Sequence, residues 1–234
     1  MDMRRGGLWP PAFYLQKLWI TVHINAIMTW GDIMRITTIR HGRTYWNSLG
    51  RIQGHADIEL DEAGLYQAEK VAAKLADNPV DIIYTSDLKR AKKTAEIIAA
   101  YHNVPLEISK VLREISFGIF EGRLHSESHA EMDIFRKQGQ PFPGSEDVAE
   151  YFARVHAFLD EILERNHKNI FIVGHYGTVR AAICYFLESA PEWKSNLSIG
   201  NTAVHIFEKD ASGSFKMIVE NDMSHIENGM FHLD

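Results

Sequence analysis

Basic side chains stand at points of the chain where apolar stretches end. His41 lies between Arg40 and Arg43, immediately after the apolar residues 36–39. Imidazole can attack phosphorus and hold the phosphoryl group covalently for a second step. Guanidinium groups match a phosphate dianion in charge and in shape. The cluster therefore indicates a phosphate-binding site that carries its own nucleophile.

Short apolar stretches separated by helical patterns are predicted to position these groups. Residues 36–39, 81–86 and 170–173 are predicted to be strands. Strands separated by helices form a mainly parallel sheet covered on both faces, so the expected fold is a three-layer α/β/α sandwich. Ligands in such folds bind beyond the carboxyl ends of the strands. Because His41 and His175 each follow a strand, we expect them to share one edge of the sheet.

The connecting segments complete this outline. Asp61 is predicted to open a helix that turns apolar residues, Leu65 among them, toward the sheet. Residues 123–144 are polar and end in glycines and prolines, so they are predicted to form a loop or lid. Ser145 is predicted to begin a long amphipathic helix, and a hairpin over 203–219 closes the domain.

Composition limits the classes of protein to which the chain can belong. Its 234 residues, 45% of them hydrophobic, suffice for one globular domain with a well-formed core. A net charge of -6 does not suggest a basic surface for nucleic acid. The single cysteine, Cys184, lies in an apolar helical pattern and is expected to be a core residue. A reducing, cytoplasmic location is expected.

The first 33 residues differ in pattern from the rest. Basic residues precede a stretch rich in Leu, Trp and Ile, which Pro10 and Lys17 interrupt. No apolar run reaches the roughly 20 residues that a membrane-spanning helix needs. No small-residue cleavage site is evident either. Residues 1–33 are predicted to be a dispensable extension, translated from an upstream start codon, and 34–234 to be the functional domain with no membrane partner.

Several short motifs follow one another in a characteristic order. They are Arg-His-Gly-Arg-Thr at 40–44 with Trp46 and Asn47, Gln53-Gly54, Thr-Ser-Asp-Leu-Lys-Arg-Ala at 85–91, Leu-Arg-Glu at 112–114, and Gly174-His175 with Gly177 and Arg180. In type, order and spacing they resemble the motifs of the histidine phosphatase superfamily, also called the phosphoglycerate mutase-like family. The resemblance covers roughly residues 34 to 225 and implies the phosphoglycerate mutase-like fold.

The resemblance implies a role for each catalytic group. His41 would be the nucleophile, with the tautomer fixed by a hydrogen bond to its other nitrogen. His175 would be a second imidazole that donates to a phosphoryl oxygen. Glu114 would be the general acid for the leaving oxygen, since a carboxyl beside a phosphate anion favours its protonated form. An ion pair with Arg113 is the alternative role for Glu114.

Phosphate binding would fall to a second set of residues. They are Arg40, Arg90, Arg43, Asn47 and Gln53. For Arg43 an ion pair is an equal alternative, and Asn47 could instead cap a helix or a turn. No metal and no cofactor are expected, because arginine and imidazole supply the positive charge. His125 and His129 are four residues apart, but no third metal ligand is evident nearby.

The resemblance favours a phosphomonoesterase that works through a phosphohistidine. The expected partner is a small phosphorylated metabolite, and residues 123–144 together with Tyr176 are expected to select it. A cofactor-dependent phosphoglycerate mutase is the alternative within the family, but those members carry a longer insertion after the acid motif. An inactive scaffold or binding protein is the alternative from another class. The sequence does not indicate an oligomeric state.

Overall fold

A six-stranded sheet organises the part of the chain that the computed structural model describes, residues 33–189 and 197–226. The strands are β1 (Arg35–Arg40), β2 (Ile82–Thr85), β3 (Leu106–Ile108), β4 (Asn169–Gly174), β5 (Val204–Lys209) and β6 (Phe215–Asp222). Their order across the sheet is β3-β2-β4-β1-β5-β6. The first four run parallel, whereas β5 and β6 are antiparallel to their neighbours. The predicted α/β fold with a mainly parallel sheet is confirmed.

Helices cover both faces of the sheet. They are α1 (Tyr45–Ser48), α2 (Glu62–Leu75), α3 (Lys89–Ala99), α4 (His125–Lys137), α5 (Val148–Leu163) and α6 (Tyr176–Phe186), with 3₁₀ turns at Lys110–Leu112 and Gly118–Phe120. Successive side chains of a strand point to opposite faces. On β4, Ile170 and Ile172 pack with α5 and α6, whereas Phe171 and Val173 pack with α2 and α3. This alternation creates the two apolar cores of a three-layer sandwich.

The strand register brings the carboxyl ends of the central strands side by side. Arg40 at the end of β1 lies opposite Gly174 at the end of β4. Thr85 at the end of β2 lies opposite Val173. The residues that follow these ends, His41 and His175 among them, therefore meet at one edge of the sheet, as ligand sites in parallel sheets do.

Three local predictions were wrong. The segment 123–144 contains α4 rather than only a loop, and Ser128 and Met132 are the buried residues of that helix. Leu65 is 39% exposed because the inward face of α2 runs through other positions, beginning at Ala63. Helix α5 begins at Val148, after Asp147, whose side chain accepts hydrogen bonds from the backbone of the first turn.

The predicted extension, residues 1–33, lies almost entirely outside the described residues, and its dispensability stays a prediction. Among the described residues, none of the helices has both the length and the apolar character needed to cross a membrane.

Candidate active site

His41 is fixed at the end of β1 by backbone contacts. Its N–H donates to the carbonyl of Gly174 at 2.9 Å, which continues the β1–β4 ladder, and its side chain is buried. Gly42 follows, and a Cβ there would overlap the carbonyl of Gly64 at the start of α2. The Gly42 N–H donates to Thr94 of α3 at 3.1 Å. The loop thus lies tightly between two helices, and the imidazole has little freedom.

The hydrogen bond of the His41 ring defines its tautomer. Nδ1 lies 2.6 Å from the carbonyl oxygen of Gly42. Because a carbonyl can only accept, Nδ1 carries the proton and the lone pair is on Nε2. Burial, followed by the charges of Arg90 and Arg40, holds the pKa of His41 well below its usual value. The ring is therefore neutral at pH 7, as a nitrogen nucleophile must be.

His175 lies beside this ring. The two ring centroids are 5.3 Å apart, with the planes at 60°. His175 is fully buried, and neither of its ring nitrogens has a hydrogen-bond partner among the described residues. Burial, Arg90 and His41 hold its pKa well below the usual value. A neutral, unpartnered and buried imidazole retains one donor and one acceptor for a ligand.

Arg90 enters the site from the first turn of α3. Its Nη2 donates to the carbonyl of Gly54 at 2.8 Å and its Nη1 to that of Ala56 at 2.7 Å. The side chain is 1% exposed, and burial lowers its pKa to about 10, so it keeps its charge at pH 7. These two acceptors are neutral carbonyls, which orient the guanidinium without cancelling its charge.

Arg40 is the second cation of the site. Its Nη1 donates to the carbonyl of Ile199, and its guanidinium carbon lies 5.7 Å from the ring centroid of Tyr176. Burial lowers the pKa of Arg40, although Glu114 and Tyr176 oppose that shift. The guanidinium groups of buried Arg90 and half-buried Arg40 therefore face the space beside His41, where an anion would offset the cost of removing them from water.

Glu114 is the acidic group of the site and is 9% exposed. Its Oε1 accepts from the N–H of Ile115 at 2.9 Å, and its Oε2 accepts from the N–H of Gly177 at 3.1 Å. The hydroxyl of Tyr151 lies 3.5 Å from Oε1. A Cβ on Gly177 would overlap Oε1, so glycine at this position is what admits the carboxyl. The alternative ion pair does not form, because Arg113 binds Asp87 at 2.6 Å.

Sequence reasoning missed the residues of α5 that support Glu114. Arg154 donates to the backbone carbonyls of Val111, Arg113 and Glu114, and it forms an ion pair with Glu146. Its guanidinium lies over the ring of Tyr151 at 4.6 Å. The signal available in the sequence was an arginine on the otherwise apolar face of an amphipathic helix.

Three predicted phosphate ligands differ in placement. Asn47 lines the cavity beside His41, but its Oδ1 accepts from Thr44 at 3.1 Å in a capping box, which leaves its amide N–H₂ for a ligand. Gln53 lines the same cavity, with its buried Oε1 unpartnered among the described residues. Arg43 does not line the cavity; its Nε donates to Asp61 at 2.9 Å. For Asn47 and Arg43 the structural alternatives are thus present.

Most of the predicted site residues line one cavity. It has a volume of about 310 Å³, and Arg40, His41, Arg90 and Glu114 line it. His125 of α4 also lines it, and its ring centroid lies 5.9 Å from that of His129. Across the described residues no group of three or more potential metal ligands occurs. A neutral imidazole, a carboxyl and four guanidinium groups, those of Arg40, Arg51, Arg90 and Arg136, therefore surround one space, which suits transfer of a phosphoryl group. His175 lies beside the His41 ring but does not itself line this cavity.

Comparison with known families agrees with this chemistry. The model of the histidine phosphatase superfamily, branch 1, matches residues 36–222. The chain belongs to this superfamily. The predicted resemblance is therefore confirmed.

Known members of the superfamily differ in what their names say they do. Phosphoglycerate mutase-like protein 4 of Arabidopsis thaliana is 31% identical over 211 residues, which cover 86% of this chain and 90% of that protein. The structure of phosphoserine phosphatase from Entamoeba histolytica in complex with 3-phosphoglyceric acid is 29% identical, with a TM-score of 0.70, and covers 82% of this chain and 98% of that one. The α-ribazole phosphatase from Shigella flexneri is 26% identical, with a TM-score of 0.74, and covers 81% and 96%.

Proposed function

We propose that the protein is a phosphomonoesterase that hydrolyses a small phosphoester through a phosphohistidine on His41. The observation that carries the proposal is the hydrogen bond from His41 Nδ1 to the Gly42 carbonyl at 2.6 Å. It leaves the lone pair on Nε2 in a cavity lined by Arg40 and Arg90. A neutral imidazole beside two cations suits attack on a phosphate dianion.

The reaction has two steps. In the first, His41 Nε2 forms a bond to phosphorus, the ester P–O bond breaks, and Glu114 gives a proton to the leaving oxygen. In the second, a water attacks phosphorus, the N–P bond breaks, and the Glu114 carboxylate takes the proton from the water. Arg40, Arg90 and His175 would bind the phosphoryl oxygens throughout, with the amides of Asn47 and Gln53 as further groups for binding. Arg43, which is paired with Asp61 and does not line the cavity, would add positive charge near the phosphate without contacting it.

The named relatives support a small phosphorylated metabolite as substrate, since one is a phosphoserine phosphatase and one an α-ribazole phosphatase. The segment 123–144, most of which is α4 and a turn, leaves little material to exclude water from an intermediate, which favours hydrolysis over a mutase reaction. We further propose a cytoplasmic location, because the chain has a single cysteine, Cys184, and so does not use disulfides within the chain for stability.

The test is phosphate release from a panel of alkyl phosphates, phosphoserine and phosphoglycerates in the presence of a chelator. We expect turnover by the wild-type protein and a loss of about 10⁴-fold or more in His41→Ala. His167→Ala, which removes a histidine from the turn before β4 at the opposite edge of the sheet, serves as the matched control.

Trapping of the intermediate separates the proposal from its alternatives. An alkaline quench after mixing with a ³²P-labelled ester should leave label on the wild-type protein and none on His41→Ala. Label without phosphate release, together with isomerisation of phosphoglycerate, would identify a mutase. Neither label nor release from any ester would indicate an inactive binding protein and contradict the proposal.

A further inference from the structure

A second, larger cavity shares part of its lining with the first. It has a volume of about 700 Å³, and we call it the side cavity. Three residues, Phe117, His125 and Arg136, line both cavities. Residues 115–117, which follow Glu114 directly in the chain, line the side cavity.

Apolar atoms make up most of the surface of the side cavity, although polar and charged side chains, Glu146 and Asp147 among them, also line it. Its apolar lining residues are Ile115, Phe117, Pro141, Phe142 and Val148. The rings of Phe117 and Phe142 are nearly parallel, at 19°, with centroids 6.4 Å apart. Val148 is 45% exposed although it begins a helix whose other apolar residues are mostly buried. An apolar, concave wall beside a polar site is the usual make-up of a pocket for the organic part of a ligand.

The position of Glu114 indicates which part of a substrate lies nearest to this wall. In the proposed reaction, phosphorus is bound between His41 and Arg90, and Glu114 protonates the leaving oxygen. The leaving alcohol is therefore on the Glu114 side of the phosphoryl group. The chain continues from Glu114 into Ile115 and Phe117, which already belong to the side cavity. An alcohol longer than a few atoms extends from the acid toward this apolar surface.

We propose that the side cavity binds an aromatic or bulky aliphatic part of the leaving alcohol, so that the preferred substrates are phosphomonoesters of apolar alcohols. This inference rests on the proposed phosphomonoesterase activity. Removal of an apolar group of phenyl size from water into such a pocket favours binding strongly enough to raise kcat/KM about tenfold or more.

The experiment compares 3-phenylpropyl phosphate with n-propyl phosphate. Both are primary alkyl esters whose leaving oxygens have similar basicity, so the ratio of their kcat/KM values reports contacts to the phenyl group rather than intrinsic reactivity. We expect a ratio of about ten or more for the wild-type protein. Val148→Asp places a carboxylate in the side cavity, at a helix N-terminus where a negative charge is tolerated, and should lower the ratio toward one.

Leu65→Asp provides the matched control, because Leu65 is 39% exposed near the N-terminus of α2 and lines neither cavity. It should keep the wild-type ratio. A wild-type ratio near one, with both esters hydrolysed, would overturn the inference and leave the phosphatase proposal intact. A high ratio that Val148→Asp leaves unchanged would also overturn it, since the phenyl group would then bind elsewhere. Hydrolysis of neither ester would instead contradict the proposed function itself.

Discussion

The two ends of the site are built from different kinds of structure. At the strand end, His41, His175 and Arg90 are nearly fully buried and follow elements of the central sheet. At the other end, α4 has two buried residues and presents mainly exposed polar side chains. Many packed neighbours and backbone hydrogen bonds determine the geometry of the strand end, whereas few contacts constrain α4. We therefore expect substitutions at the strand end to alter the rate of the reaction and substitutions in α4 to alter the choice of substrate.

Charge is also distributed differently at the two ends. Arg90 at the strand end is bound to carbonyl oxygens, so its charge remains available to an anion. On α4, Arg136 pairs with Asp133 at 2.8 Å. Arg123, which precedes α4, pairs with Glu131 of that helix, also at 2.8 Å. A carboxylate partner reduces the attraction of these arginines for a phosphate. The arginines that hydrogen-bond neutral carbonyls, Arg90 and Arg51, are therefore the ones whose charge is most available to an anion in the cavity.

Replacing one arginine at each end by alanine should give the largest difference between the two ends. Arg90→Ala should lower the kcat/KM for n-propyl phosphate by about 10³-fold, because it removes a preorganised charge at the phosphoryl group. Arg136→Ala should lower it about threefold or less. Arg90→Lys, which keeps the charge but loses the planar fork, should fall between the two. Steady-state phosphate release measures all three, and equal losses for Arg90→Ala and Arg136→Ala would contradict the comparison.

Gly177→Ala tests how tightly the strand end is packed. The added methyl would overlap Glu114 Oε1 and lie 2.7 Å from the Tyr151 hydroxyl, so the acid must move. We expect the hydrolysis of alkyl esters to fall about 10²-fold. Gly50→Ala is the control: its positive φ of 65° makes alanine cost about 1 kcal/mol of stability, but nothing lies within 4 Å. Unchanged turnover in Gly177→Ala would show that Glu114 tolerates displacement.

Arg154→Ala tests whether α5 holds Glu114 in position. The readout is the difference in loss between two esters, which a general loss of stability would not produce. A displaced acid should slow n-propyl phosphate about tenfold or more, because the alkoxide needs protonation. It should slow 4-nitrophenyl phosphate much less, since that leaving group departs without a proton. Arg165→Ala, which removes the ion pairs of Arg165 with Glu107 and Glu161, is the matched control. Equal losses with the two esters would assign Arg154 a purely structural role.

The smallest effect is on stability. His205 on β5 is fully buried opposite Thr38, and burial lowers its pKa to about 4. Because its unfolded pKa is near 6.5, the unfolded state binds a proton that the folded state does not, and stability falls as the pH drops from 6.5 to 4. Between pH 7 and 5 the wild-type protein should lose about 2 kcal/mol more unfolding free energy than His205→Leu in urea titrations.

His129→Leu removes an exposed imidazole from α4 and is the control for that titration. It should show the same loss of unfolding free energy with pH as the wild-type protein. If His205→Leu also shows the wild-type loss, burial of this imidazole does not account for the acid sensitivity of the sheet.

The strand end could be predicted from sequence because its groups are local to short motifs. His41 and His175 each follow an apolar strand directly, so the parallel sheet itself implies that they meet. Helix α4 could not be predicted in the same way. Its two buried residues, Ser128 and Met132, give almost no apolar periodicity, and Gly139 and Gly144 nearby favour a loop.

The fold class and the cluster of His41 with Arg40 and Arg90 can be predicted from the sequence, because strand-end motifs and apolar stretches depend on neighbouring residues. The folded chain is needed to show which of these groups face the cavity, and it pairs Arg43 with Asp61 outside that cavity. It also decided what supports the acid, because Arg154 contacts backbone carbonyls some forty positions away in the chain. Every residue has a backbone carbonyl, so a contact to one does not require a particular residue type there. Such contacts therefore produce no pair of residue types that could be recognised in the sequence.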